Sequence, residues 1–103
     1  MAWRLGDYMT AAQGYAQQKD NYAKRLRRIE GQLRGLQKMI EDDRYCPDVL
    51  TQISSVHEAL RSVARELMRN HLKHCATGAI RTGGKDADSM YDEIVDLMYT
   101  QIR

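Results

Sequence analysis

The sequence predicts an all-α protein with a three-helix protomer, on three observations. Proline occurs once, at Pro47, so 46 residues before it and 56 after it are free of the strongest helix breaker. Gly and Pro together make 8 of 103 residues, below the roughly 12% of an average protein. Apolar residues then recur at alternating steps of four and three over two long stretches, the signature of helices with one apolar seam.

Residues 1–18 mix Gly, Ala and Gln with Trp3, Tyr8 and Tyr15 and hold no sustained period, which reads as a mobile N-terminal tail or a frayed helix start. From Tyr22 the seam runs Tyr22, Leu26, Ile29, Leu33, Leu36, Ile40, which places a first helix of about 24 residues. Gly31 inside it costs roughly 1 kcal/mol relative to Ala and suggests close approach of another backbone or side chain. The stretch Glu41–Cys46 closes that helix, and Pro47 suits the first turn of a second, where its missing N–H costs no hydrogen bond. A long antiparallel helical hairpin follows. Helix two carries Val49, Ile53, Val56, Leu60, Val63 and Leu67, with a neighbouring stripe of Leu50, Ala64, Met68 and Leu72, so it must pack on more than one side. It is expected to end near Arg81, before Gly83 and Gly84. A short third helix follows from about Asp88, with Met90, Ile94, Leu97, Met98 and Ile102. Residues 19–103 thus form one expected domain.

A single chain of this length buries too little apolar surface to hold a deep active-site cleft, and oligomerisation is expected. No stretch approaches the roughly 18 apolar residues of a membrane span. The first residues carry only Arg4 as a basic group and no apolar run after it, so no secretory signal is read and a reducing cytoplasm is the expected compartment. Sixteen Lys and Arg face fourteen Asp and Glu, but the charge is uneven: Lys19 to Lys38 hold seven basic and two acidic residues. Such a stretch is either a polyanion-binding face or a solvated helix surface.

His71 stands where Leu would continue the helix-two seam, and Cys75 lies four residues on, a spacing that lets both reach one metal ion. Taken separately, each is as readily a core residue. Cys46 lies 29 residues before Cys75, about 43 Å along a continuous helix, too far for a disulfide or a shared ion within one chain. In an antiparallel two-fold dimer, with its dyad near Leu60, Cys46 of one chain meets His71 and Cys75 of the other. His74 is a poorer fourth donor or simply solvent-exposed. Two thiolates and an imidazole form a soft three-coordinate set that suits Cu(I) better than Zn(II). No Ser/His/Asp set, paired-carboxylate cleft or phosphate-cradling loop appears, so no enzyme and no small-molecule substrate are expected. A metal-storage or structural metal-binding helical oligomer is the alternative from another class.

The segments RLRRIEGQLRGLQKMI, YCPDVLTQIS and NHLKHC resemble the CsoR/RcnR family of bacterial metal-responsive transcriptional repressors, most closely its copper-sensing CsoR branch, over about residues 19–102. That family's ligand pattern falls on Cys46, His71 and Cys75. The place of the N-terminal His of its nickel and cobalt sensors lies near Gly14, and no His precedes His57. The resemblance implies a four-helix-bundle dimer, a disc-shaped dimer-of-dimers tetramer and operator binding without a helix-turn-helix. It further implies an apo repressor of copper efflux or tolerance genes that Cu(I) releases from DNA. Tyr45 and Glu93 take the positions of residues around the ligands, with Glu93 expected to hold the distal nitrogen of the ligating His. For DNA, the resemblance points to Arg25, Arg27 and Arg65, and charge adds Lys24, Arg28, Arg34 and Lys38, all as phosphate contacts.

Overall fold

The computed structural model describes residues 17–101, which fall into two compact units, Gln17–Leu67 and the residues from Met68 onward. The tail residues 1–16, including Trp3, Tyr8 and Tyr15, and Ile102 of the third helix lie outside the described residues. The elements are α1 (Lys19–Glu41), α2 (Cys46–Asn70), a π-helical run (His71–Ala76), α3 (Thr77–Thr82) and α4 (Gly84–Gln101). The π-helical run and α3 follow α2 without a break, so the described residues form three helical rods and contain no strand. The protein is all-α, as its sequence predicts.

In the first unit, α1 ends through backbone chemistry that the acidic stretch after it permits. Asp43 adopts a left-handed conformation, φ 54°, and the Asp43 and Arg44 N–H groups donate to the carbonyls of Ile40 and Met39, satisfying carbonyls the helix end would otherwise orphan. Tyr45 then opens α2, its carbonyl accepting from the N–H groups of Asp48 and Val49, and Pro47 occupies the first turn, where no N–H is required. Near the other end of the hairpin, Arg25 of α1 donates to Ser62 Oγ at 2.8 Å and to Glu66 Oε2 of α2, so the two helices run antiparallel. The buried side chains are Tyr22 and Ile29 of α1 and Val49, Val56 and Val63 of α2, the valines spaced by seven.

Only every other residue of each expected seam is buried. Leu26, Leu33, Ile40, Ile53 and Leu60 remain 37–63% exposed in the single chain, because an apolar stripe over 100° wide is broader than the one contact line a two-helix hairpin supplies. The close approach expected at Gly31 is also absent: a Cβ there would meet only the Arg34 guanidinium, at 3.9 Å.

In the second unit, Ala76, Ala79 and Met90 form a buried cluster, with Ile80 and Ile94 packed against it. The third helix begins at Gly84 rather than near Asp88. Gly83, at φ 75° and ψ −170°, reverses the chain in one residue, a conformation essentially confined to glycine; its N–H donates to Ile80 and its carbonyl accepts from Ala87. No longer loop is needed. Among the described residues, no helix is long and apolar enough to cross a membrane.

These two backbone positions predict stability changes of opposite sign. Gly83→Ala is expected to lower unfolding free energy by about 1–3 kcal/mol, whereas Asp43→Gly is expected to raise it by about 0.5 kcal/mol by relieving the left-handed side chain. Urea midpoints of the two variants, measured at equal protomer concentration, check both.

Candidate metal centre

His71 and Cys75 both lie in the π-helical run His71–Ala76, not in the plain α-helix the four-residue spacing suggested. A π-turn closes its hydrogen bonds one residue further along the chain than an α-turn and is found frequently at functional sites. Here Thr77 closes the run, its N–H donating to the carbonyl of Leu72. Cys75 is buried, beside Ala76 in sequence and on the same buried stretch of chain.

The ring of His71 is held from the opposite rod. Glu93 of α4 is buried, and its Oε1 lies 3.3 Å from His71 Nε2. The separation is that of an ion pair, while the alignment of a hydrogen bond is not reached and Nε2 is otherwise without a partner in the chain. Ala87, Met90 and Glu93 recur at steps of three along α4, so the packing that buries Met90 also carries the carboxylate inward. With Nε2 turned to Glu93, Nδ1 is the nitrogen left for a metal, and a carboxylate on the far side of the ring makes the imidazole a better donor.

Cys46 is exposed in the first turn of α2 and follows Tyr45, which is 73% exposed. Neither cysteine forms a disulfide. Among the described residues, no three His, Cys, Asp or Glu side chains converge on a metal-sized space; the structure brings Glu93 to His71 and does not gather Cys46 with them. His74 is exposed. The donor chemistry fits a soft ion: two sulfurs and one imidazole nitrogen, with no hard oxygen cage.

Of the cationic residues, Lys24, Arg27, Arg28, Arg34 and Lys38 are exposed on α1, and Arg65 is exposed on α2. Arg34 and Lys38 reach Glu30 and Asp42 at 4.0 Å, surface pairs that hold a side chain only weakly. Arg25 differs: its guanidinium is engaged by Ser62 and Glu66, so it serves the hairpin before it serves any phosphate. Thr77 was missed by sequence reasoning, since a threonine inside a helical pattern carries no sign of which carbonyl its hydroxyl will choose.

The family of metal-sensitive transcriptional repressors matches residues 18–100. The copper-sensing transcriptional repressor RicR of Mycobacterium tuberculosis (strain H37Rv) is 65% identical over 85 residues, covering 82% of this chain and 88% of that protein. The copper-sensing transcriptional repressor CsoR of Bacillus subtilis (strain 168) is 45% identical over 82 residues, 80% of this chain and 79% of the other. Among solved structures, the crystal structure of the copper-sensing repressor CsoR with Cu(I) from Geobacillus thermodenitrificans NG80-2 superposes with a TM-score of 0.78 at 44% identity, over 84% of this chain and 88% of that one. On the helical architecture, the His71 surroundings and a match spanning nearly the whole chain, this protein belongs to the metal-sensitive transcriptional repressor family.

Proposed function

We propose that this chain is a cytoplasmic copper(I)-responsive transcriptional repressor: the apo form binds operator DNA, and Cu(I) binding releases it, derepressing copper efflux or tolerance genes. The observation that carries the reading is the pairing of His71 Nε2 with buried Glu93, four residues before a buried thiol, in a chain 65% identical to a copper-sensing repressor. A storage oligomer is not favoured, because the family it would have to leave is one of repressors.

His71 and Cys75 of one protomer and Cys46 of another would hold the ion. Bound there, Cu(I) supplies a soft cross-link between two chains. Every other part of the response belongs to the protein. Glu93 fixes the ring so that Nδ1 meets the ion, and Cys46, exposed at the start of α2, is offered to a neighbouring chain. Tyr45 lies beside it.

The exposed half of the apolar seam, Leu26, Leu33, Ile40, Ile53 and Leu60, supports an antiparallel dimer in which two hairpins close one four-helix bundle, and a tetramer of two such dimers. Summed over several chains, Lys24, Arg27, Arg28, Arg34, Lys38 and Arg65, with Arg25, would grip phosphates, giving affinity that falls steeply with salt. Moving these faces relative to one another by an inter-chain clamp couples metal to DNA, typically by about 1–3 kcal/mol.

Fluorescence anisotropy of the DNA upstream of the protein's own gene, under anaerobic conditions, tests the function directly. Apo protein is expected to bind and one Cu(I) per protomer to release it, with Zn(II) and Ni(II) ineffective; indifference to Cu(I) would sink the proposal. In the same assay His71→Ala is expected to keep part of its copper affinity and to lose release. The shared site is tested by complementation: Cys46→Ser and Cys75→Ser homodimers should each lack Cu(I) sites, while a heterodimer of the two should regain one of two, read as Cu(I) per protein. Heterodimers without copper would place all donors in one chain.

A further inference from the structure

We infer that Thr77 is a positioning residue for the metal site: its side chain holds open the π-helical register in which His71 and Cys75 are presented. The inference rests on the proposed Cu(I) site and adds to it a residue that touches no metal.

The chain contains its own comparison. Thr51, Thr82 and Thr100 each sit on a helix and turn the hydroxyl back to the carbonyl four residues earlier, Pro47, Gly78 and Asp96, at 2.9–3.0 Å. That is the habit of threonine in an α-helix. Thr77 instead donates its Oγ1 to Leu72, five residues earlier, at 2.9 Å. The same Leu72 carbonyl also accepts the Thr77 backbone N–H. One carbonyl, which has two lone pairs, is thus filled by both donors of one residue.

The consequence is a latch on the wide turn. Relaxing the run to α-helix would require the Thr77 N–H and hydroxyl to leave Leu72 together for Lys73, the carbonyl four residues back, so the side chain couples two bonds to one register. The π-helical run covers His71–Ala76 and so includes both donors, with Cys75 in the turn that Thr77 closes. A return to the α register would rotate Cys75 relative to His71 by on the order of tens of degrees. The His71 ring packs against Glu93 of α4, Nε2 to Oε1 3.3 Å, which limits how far the imidazole can follow the thiol. The hydroxyl keeps the two donors in step.

Three variants of the full-length protein test this: Thr77→Val, which keeps the β-branched shape and loses the hydroxyl; Thr77→Ser, which keeps the hydroxyl; and Thr82→Val, which loses an ordinary four-residue bond nearby. Cu(I) affinity is read by anaerobic competition with a chromophoric chelator, alongside thermal midpoints of the apo proteins. Thr77→Val is expected to weaken Cu(I) binding by at least about tenfold, the scale of lost outer contacts at metal sites, with Thr77→Ser restoring it and Thr82→Val binding as the wild type does. Thr77→Val binding as tightly as wild type overturns the inference. So does an equal weakening by Thr77→Val and Thr82→Val, which would mark a general loss of helix stability. Should the wild type itself fail to bind Cu(I), the proposed function falls and takes this inference with it, a result distinct from either outcome at Thr77.

Discussion

A two-helix hairpin offers each helix one contact line, and the apolar side chains of this chain need more than one. Within the first unit Tyr22, Ile29, Val49, Val56 and Val63 are buried, while their seam neighbours Leu26, Leu33, Ile40, Ile53 and Leu60 are left in water. Each large aliphatic side chain withheld from a core forgoes about 1.5–3 kcal/mol, a large sum for a protein of this length. On the proposed assembly, a second hairpin covers that half. The same step would account for Cys46 standing exposed at a helix start rather than inside a core: on the proposal its partners belong to another chain, and a metal bridging two protomers would report on how they are arranged.

The second unit solves a different problem, the placement of a polar pair among small apolar residues. Glu93 sits at the level of the Ala76, Ala79 and Met90 cluster, where an unpartnered carboxylate would be costly. The His71 ring lies beside it, Nε2 3.3 Å from the carboxylate though not aligned as a hydrogen bond.

The basic face of α1 is governed by weak local pairing. Arg34 has an acidic neighbour one turn away on α1, and Lys38 has one in Asp42 just past the helix end, at distances that leave both side chains largely solvated. Pairs of this kind are readily given up. Arg25 is the exception, since its two contacts tie α1 to α2 and make it part of the hairpin itself. Charge counting treats these residues alike, and only the cross-helix neighbours Ser62 and Glu66 separate them.

The helices were legible in the sequence because the causes are local: one proline, few glycines, a four-three apolar spacing, and turn chemistry at Glu41–Cys46 and Gly83–Gly84. The residue types and spacing at Cys46, His71 and Cys75, on which the proposed metal site rests, are likewise local features of the sequence. Four features were decided only by tertiary structure. Which half of the seam is buried depends on the single line of contact in the hairpin. The start of the last helix at Gly84 depends on a one-residue reversal at Gly83. The approach of Glu93 to His71 joins residues 22 positions apart and needs α4 packed on its neighbour. The π register at His71–Ala76 turns on which of two adjacent carbonyls Thr77 selects, a choice that the spacing of the sequence leaves open.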